Sequence, residues 1–113
     1  MRWQPSSLGL HAYTPRVYVG TLRLWLTVHA AQSLKDRRRT VQSLVTRMRH
    51  TFNCSVADLD EDPTPRSAQI GVVCVSNSPQ LADALLRRAV EFAETIHLDI
   101  EVTDERIEIV RVE

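Results

Sequence analysis

Six segments of this 113-residue chain carry clear hydrophobic periodicity, and few small folds accept the order in which they occur. Residues 17–29, VYVGTLRLWLTVH, alternate between two sets of side chains, which is typical of a strand. Residues 33–52 gather apolar side chains on one face of a helix, and strand patterns follow at 55–60 and 68–76. A second helix begins near Pro79, and a last strand completes the order strand, helix, strand, strand, helix, strand.

This order contains two strand–helix–strand units, which right-handed crossovers assemble into a split βαβ arrangement. The sequence therefore predicts an α+β domain with the ferredoxin-like βαββαβ fold: a four-stranded antiparallel sheet with two helices on one face. The other face of the sheet is expected to lie open. A chain of this length supports one core, and we assign residues 17–113 to a single domain. Residues 1–16 lack periodicity and are predicted to be a disordered N-terminal extension.

Two elements call for more detailed predictions. The second helix is expected to pack through the side chains of Leu81, Leu85, Ala89, Phe92 and Ile96. The last strand carries apolar residues at the even positions 100 and 102 but at the odd positions 107 and 109, so the positions that face the core change from even to odd along it. A straight strand would place one of these pairs on the wrong face, and a bulge or turn is therefore predicted near residues 103–106.

Composition and motifs argue against several functional classes. Apolar residues make up 43% of the chain and charged residues 25%, as in soluble globular proteins. No apolar run exceeds six residues and no secretory signal is present, so we expect a cytoplasmic protein without a membrane span. Cys54 and Cys74 have no metal-ligand spacing, and neither the four histidines nor the three glycines form a catalytic or phosphate-binding motif. We therefore predict no enzymatic activity, no metal and no cofactor.

The net charge of zero conceals a strong segregation of charge along the chain. Residues 1–57 contain nine basic side chains and one acidic side chain, whereas residues 58–113 contain five arginines and thirteen acids. Four of those acids cluster between Asp58 and Asp62. Because the spacing of a calcium-binding loop is missing there, this cluster is predicted to be a solvated acidic turn.

The strongest local feature is the segment SLKDRRRTVQSLVTRMRH, residues 33–50, with six cations and one anion. A helical wheel places four of the cations on one flank of the helix: Lys35, Arg38, Arg39 and Arg49. Such a stripe suits phosphate groups, which arginine binds through its planar fork. The alternative is a solvated face that pairs with acids of the chain's second half. Arg37 falls in the apolar stripe instead, where it either reaches past the sheet edge or points at a ligand.

Arg23 and Trp25 are expected to project from the open face of the sheet. A guanidinium beside an aromatic ring suits an unpaired nucleobase. The predicted third strand, however, offers valines on that face, and a valine-rich face fits a partner subunit equally well. Both interpretations of Trp25 stay open at this stage.

Several segments, in this order and spacing, resemble the small bacterial YlxP-like family, a domain of unknown function: VGTLRLWL at 19–26, SLKDRRRTVQSL at 33–44, FNCSVADLD at 52–60 and IGVVCVSN at 70–77. The resemblance covers residues 17–110 and implies a ferredoxin-like fold. It also implies a gene located among those for translation initiation factor two, NusA and ribosome-binding factor A, and hence a role in ribosome assembly or RNA handling.

The residues and the resemblance together lead to three hypotheses. The first is an accessory protein that binds RNA or a ribosomal subunit through Lys35, Arg38, Arg39 and Arg49, with contributions from Arg37, Arg23 and Trp25. The second is a homodimeric interaction module that uses its open sheet face and contacts no nucleic acid. The third, an enzyme or small-molecule regulator, rests on analogy with other ferredoxin-like proteins alone.

Overall fold

The computed structural model describes residues 14–97 and 99–112. Its elements are β1 (Val17–Val28), α1 (Leu34–Thr51), β2 (Ser55–Asp58), β3 (Ser67–Ser76), α2 (Pro79–Ile96) and β4 (Ile100–Val112). The four strands form one antiparallel sheet in the order β2–β3–β1–β4. The predicted ferredoxin-like α+β fold is confirmed. Residues 1–13 of the predicted extension lie outside the described residues.

The core lies between one face of the sheet and the two helices. The even-numbered side chains of β1, from Leu22 to Val28, are buried as their alternation predicts. They meet Ile70 and Val72 of β3, with Val41, Leu44 and Met48 of α1 in the same buried cluster. β3 is an internal strand, paired with β2 and β1; one of its faces is buried in this core, whereas Val73 and Val75 on the other face are exposed. In the described part of the chain, neither helix is long and apolar enough to cross a membrane.

The start of α1 follows from side-chain capping. Ser33 is the N-cap residue, and its hydroxyl accepts a hydrogen bond of 3.1 Å from the backbone N–H of Asp36. The Asp36 carboxylate in turn accepts a hydrogen bond from the backbone N–H of Gln32. An acidic group in the first turn also suits the positive end of the helix dipole. The helix therefore begins where the sequence predicts.

The predicted packing face of α2 is confirmed at four of its five residues, because Ala89 is buried and Leu85, Phe92 and Ile96 pack partly buried against the core. Its buried residues are Ala82, Leu86, Ala89, Val90 and Ala93. Leu81 is 63% exposed, although the sequence stripe placed it in the core. A Cβ atom at Gly20 of β1 would lie 2.9 Å from the Leu86 side chain, so the glycine lets α2 pack close to the backbone of β1.

The predicted bulge in β4 is present. The pairing of β1 with β4 shifts between Trp25 and Leu26, because Trp25 pairs with Asp104 while Leu26 pairs with Val102. Thr103 is the extra residue, and its hydroxyl donates a hydrogen bond of 3.0 Å to the Trp25 carbonyl. The bulge turns the inward-facing positions of β4 from even to odd numbers.

Strand β2 ends two residues earlier than predicted. Leu59 crosses onto the open face of the sheet, where its side chain packs against Gly71; a Cβ atom at Gly71 would lie 3.0 Å from Leu59. Asp60 turns the other way, and its carboxylate accepts hydrogen bonds from Arg37 and from the backbone N–H of Gln69. The Leu59 backbone N–H still donates a hydrogen bond of 2.8 Å to the Gln69 carbonyl, but the Gln69 N–H binds the Asp60 side chain and not a backbone carbonyl, so the regular ladder ends at Asp58.

Candidate functional site

The candidate site is the flank of α1 that carries Lys35, Arg38, Arg39 and Arg49, hereafter the basic flank. Lys35, Arg38 and Arg39 are exposed. Within residues 14–97 and 99–112, none of these three side chains forms an ion pair, so their charges are not offset by carboxylate contacts. Three adjacent charges of this kind form a positive surface that an anion can approach from solvent.

Arg49 is held in place by the edge of the sheet. Its Nε and Nη2 atoms donate hydrogen bonds of 3.1 and 2.6 Å to the backbone carbonyl of Val56 in β2. β2 is an outer strand, and this contact covers part of its free edge. These two hydrogen bonds fix the position of the Arg49 guanidinium relative to β2.

Two adjoining hollows follow the junction of α1 and β2 beside the basic flank. One, of about 290 Å³, is lined by Arg38 and Pro63 among others, and the second, of about 420 Å³, by Thr46 and Arg49. Gln42 and Asp58 border both hollows. The basic flank therefore rims a shallow trough rather than a deep pocket.

Arg37 occupies a different environment from its neighbours. Its side chain is 4% exposed, and its Nε atom donates a hydrogen bond of 2.8 Å to the Ser67 carbonyl. Its Nη atoms bind both oxygens of Asp58, at 3.0 and 3.3 Å, and one oxygen of Asp60. These carboxylates offset its charge, and the Arg37 side chain fastens α1 to the β2–β3 hairpin. The expectation that Arg37 contacts RNA or a partner is therefore corrected.

Electrostatics stabilises the charged state of this buried arginine. Burial lowers the pKa of Arg37, but the hydrogen bonds and negative charges of Asp58 and Asp60 outweigh burial and raise it above its ordinary value. The prediction of a solvated acidic turn is wrong for Asp60, which is 15% exposed, whereas Asp58 is exposed but also binds Arg37. The sequence did contain a signal, because an arginine within an apolar helical stripe needs a carboxylate partner when it is buried.

Arg23 and Trp25 project from the open face as predicted, but they lie on the opposite side of the sheet from α1. The Arg23 guanidinium lies 5.7 Å from the centre of the Trp25 ring. Arg106 is directly opposite Arg23 on β4, and its Nε atom contacts Glu108 at 2.7 Å. The seven candidate residues therefore occupy three places: four on the basic flank, Arg37 in a buried ion pair, and two on the open face.

The described residues contain no group of three or more His, Cys, Asp or Glu side chains that could hold a metal ion. Both cysteines are free thiols. Burial raises the pKa of the Cys54 and Cys74 thiols above the ordinary value, which keeps them protonated at neutral pH. The raised pKa values disfavour the thiolate form in which a cysteine acts as a nucleophile.

Residues 19–107 match the family described as "Protein of unknown function (DUF503)". The match includes all of α1, with its basic flank, and the residues that enclose Arg37. The chain belongs to the DUF503 family. DUF503 membership assigns no molecular activity, because the family description itself states none.

This DUF503 chain is similar to the "Uncharacterized protein YlxP" of Bacillus subtilis (strain 168), with 28% identity over 81 residues. That similarity covers 72% of this chain and 87% of the relative, and the predicted YlxP-like kinship is confirmed. Among solved structures, the fold is similar to "De novo designed protein Foldit4" at 10% identity and a TM-score of 0.45. That comparison covers 86% of this chain and 97% of the other.

Proposed function

We propose that this protein binds structured RNA, as part of a ribosomal particle, through the basic flank of α1. Lys35, Arg38, Arg39 and Arg49 contact phosphate groups in this proposal, and the trough between α1 and β2 receives the backbone that carries them. The protein acts as an accessory binding factor and performs no chemistry on the RNA.

The observation that carries the proposal is the difference between Arg37 and its neighbours. Arg37 is enclosed and offset by two carboxylates, whereas Lys35, Arg38 and Arg39 are exposed and form no ion pair with any described residue. Thirteen acids lie in the second half of the chain. Among the described residues, two of these acids pair with Arg37 and none pairs with Lys35, Arg38 or Arg39.

Phosphate is the anion that best suits this surface. Exposed arginines bind phosphate oxygens with two parallel N–H donors and release the counterions condensed on a nucleic acid. Gln42 and Thr46 lie on the same flank between Arg38 and Arg49 and supply uncharged hydrogen-bonding groups. The contacts are directed at the backbone, so we expect recognition of RNA shape and charge rather than of base sequence.

The test is sedimentation of the full chain with purified ribosomal subunits through a sucrose cushion at low and high salt. We expect the wild-type protein to sediment with a subunit at low salt. Replacing Arg38 and Arg39 together by glutamine should weaken this association at least about tenfold, because each contact to a charged group contributes roughly 1.5–3 kcal/mol.

The matched control replaces the adjacent arginines of the other helix, Arg87→Gln with Arg88→Gln. Both are exposed, and Arg87 is already paired with Asp83 at 2.8 Å. This variant loses the same number of charges but leaves the basic flank intact, so its association should equal that of the wild type. Equal losses in the two variants would contradict a contact localised on α1.

A further inference from the structure

We infer that the open face of the sheet is the contact surface for a second copy of this chain, in a symmetric dimer whose basic flanks stay free. The inference stands apart from the proposed RNA contact, because it concerns the other face of the sheet. It rests on the apolar residues of that face, its charges and its size.

The apolar part of the open face is a patch of six valines on three neighbouring strands. They are Val17 and Val19 of β1, Val73 and Val75 of β3, and Val110 and Val112 of β4. The pairing Val19 with Val75 and with Val110 places them side by side. Five of the six are among the most exposed large apolar side chains, with Val75 at 70%. A contiguous patch of this kind marks an interaction surface rather than an ordinary exposed surface.

The charges on the same face select a second copy over a nucleic acid. Beside the valine patch, the face carries two basic side chains, Arg23 and Arg106, and three acidic side chains, Glu101, Asp104 and Glu108. This mixture has no positive excess, so a polyanion gains no attraction there. Both signs on one face can, however, meet their opposites when the face packs against itself.

The face is also large enough for a specific dimer. Residues advance about 3.3 Å along a strand and strands lie about 4.8 Å apart, so ten residues on three strands cover roughly 500 Å². Two such faces together bury roughly 1,000 Å² by flat projection, which is the lower bound for a specific interface. Real side chains add to the projected value. Between Leu59 and Arg106 the face also has a hollow of about 370 Å³ that a protruding side chain could fill.

The free edge of β4 is poorly suited to pair with a strand of a second copy, so the dimer contact is made through the open face of the sheet. The first half of β4 carries Glu101, Asp104, Glu105 and Arg106 and is interrupted by the bulge at Thr103. Charged side chains and bulges are the features that keep an edge strand from pairing with another strand. Because both helices cover the other side of the sheet, the two basic flanks end up on the outside of the dimer.

The test is the molar mass of the full chain by size-exclusion chromatography with light scattering, over a wide range of concentration. The wild type should have twice the 12.9 kDa mass of one chain. Val75→Glu places a charge in the valine patch and should halve the measured mass. The control is Leu81→Glu on α2, which changes an equally exposed aliphatic residue away from the open face and should leave the dimer intact.

Circular dichroism checks that each variant is folded, and Val110→Glu serves as a second probe of the patch if Val75→Glu fails to fold. A monomeric wild type would overturn the inference, as would a Val75→Glu or Val110→Glu protein that stays as dimeric as the wild type. Loss of the dimer in Leu81→Glu as well would also overturn it, since the contact would then not be confined to the open face. The monomeric variant should still sediment with ribosomal subunits, so this proposal and the RNA proposal can fail separately.

Discussion

At the scale of single residues, the ion pairs of Arg37 hold α1 against the β2–β3 hairpin. Removing one partner of a buried ion pair costs about 3–5 kcal/mol, and hydration of the partly exposed Asp58 recovers some of this. We therefore expect Arg37→Ala to lower the free energy of unfolding by about 2–3 kcal/mol in a urea titration. The neighbouring Arg38→Ala should change it by less than about 0.5 kcal/mol, because Arg38 is exposed and unpaired among the described residues. Equal effects of the two substitutions would contradict the structural role of Arg37.

The pH dependence of the stability difference between the wild type and Arg37→Ala follows from the direction in which the fold shifts the pKa of Arg37. The pKa of Arg37 is raised in the folded state by Asp58 and Asp60, despite burial. A raised pKa stabilises the fold at every pH below the unfolded value, and arginine stays protonated throughout the range in which proteins are stable. The stability difference between wild type and Arg37→Ala should therefore show no loss caused by titration of Arg37 between about pH 6 and about pH 9.

The two thiols provide a second test at residue scale. Burial raises the pKa of both, and Cys74 is also almost completely buried in the core. We expect iodoacetamide to label the native protein more slowly than the urea-unfolded protein, with Cys74 slower than Cys54. Because the neutral thiol is favoured in the fold, this contribution to stability is present below the ordinary thiol pKa and decreases as pH rises above it. Rapid labelling of native Cys74 at neutral pH would contradict the packing described.

At the scale of elements, the bulge at Thr103 sets which side chains of β4 face the core. Deleting Thr103 forces either Ile100 and Val102 or Ile107 and Ile109 onto the open face. Exposing one buried aliphatic side chain costs about 1.5–3 kcal/mol, so the deletion should lower the melting temperature strongly. Thr103→Ala keeps the register and loses only the hydrogen bond to the Trp25 carbonyl, and it should be far milder. A deletion variant as stable as Thr103→Ala would show that the bulge does not fix the register.

The elements also show what the sequence can and cannot predict. Alternation in β1, the Ser33 cap of α1 and the parity change in β4 are local patterns, and each was read correctly. The stripe predicted for α2 is confirmed at Leu85, Ala89, Phe92 and Ile96 and is wrong at Leu81, which is exposed in the first turn of the helix. The end of β2 was misread because Asp60 binds Arg37, 23 residues earlier in the chain. Pairs of residues this far apart leave no local periodicity.

At the scale of the whole molecule, the fold brings only some of the described basic side chains of the first half of the chain into contact with acids of the second half. Asp58 and Asp60 reach Arg37, and Arg87 and Arg106 pair with acids within the second half of the chain. Helical spacing predicted which cations share a flank, but not which of them the fold would pair with acids. That outcome depends on the hairpin's position against α1, which the sequence does not specify locally.

The most direct test of the central claim is the salt dependence of binding to a fluorescently labelled, structured ribosomal RNA fragment. Each phosphate contact contributes about 0.7–0.9 to the slope of log affinity against log salt concentration. The account predicts that replacing Arg38 and Arg39 by glutamine makes this slope shallower by about 1.4–1.8, while the Arg87 and Arg88 variant keeps the wild-type slope. An unchanged slope in the Arg38 and Arg39 variant would contradict phosphate binding by the basic flank.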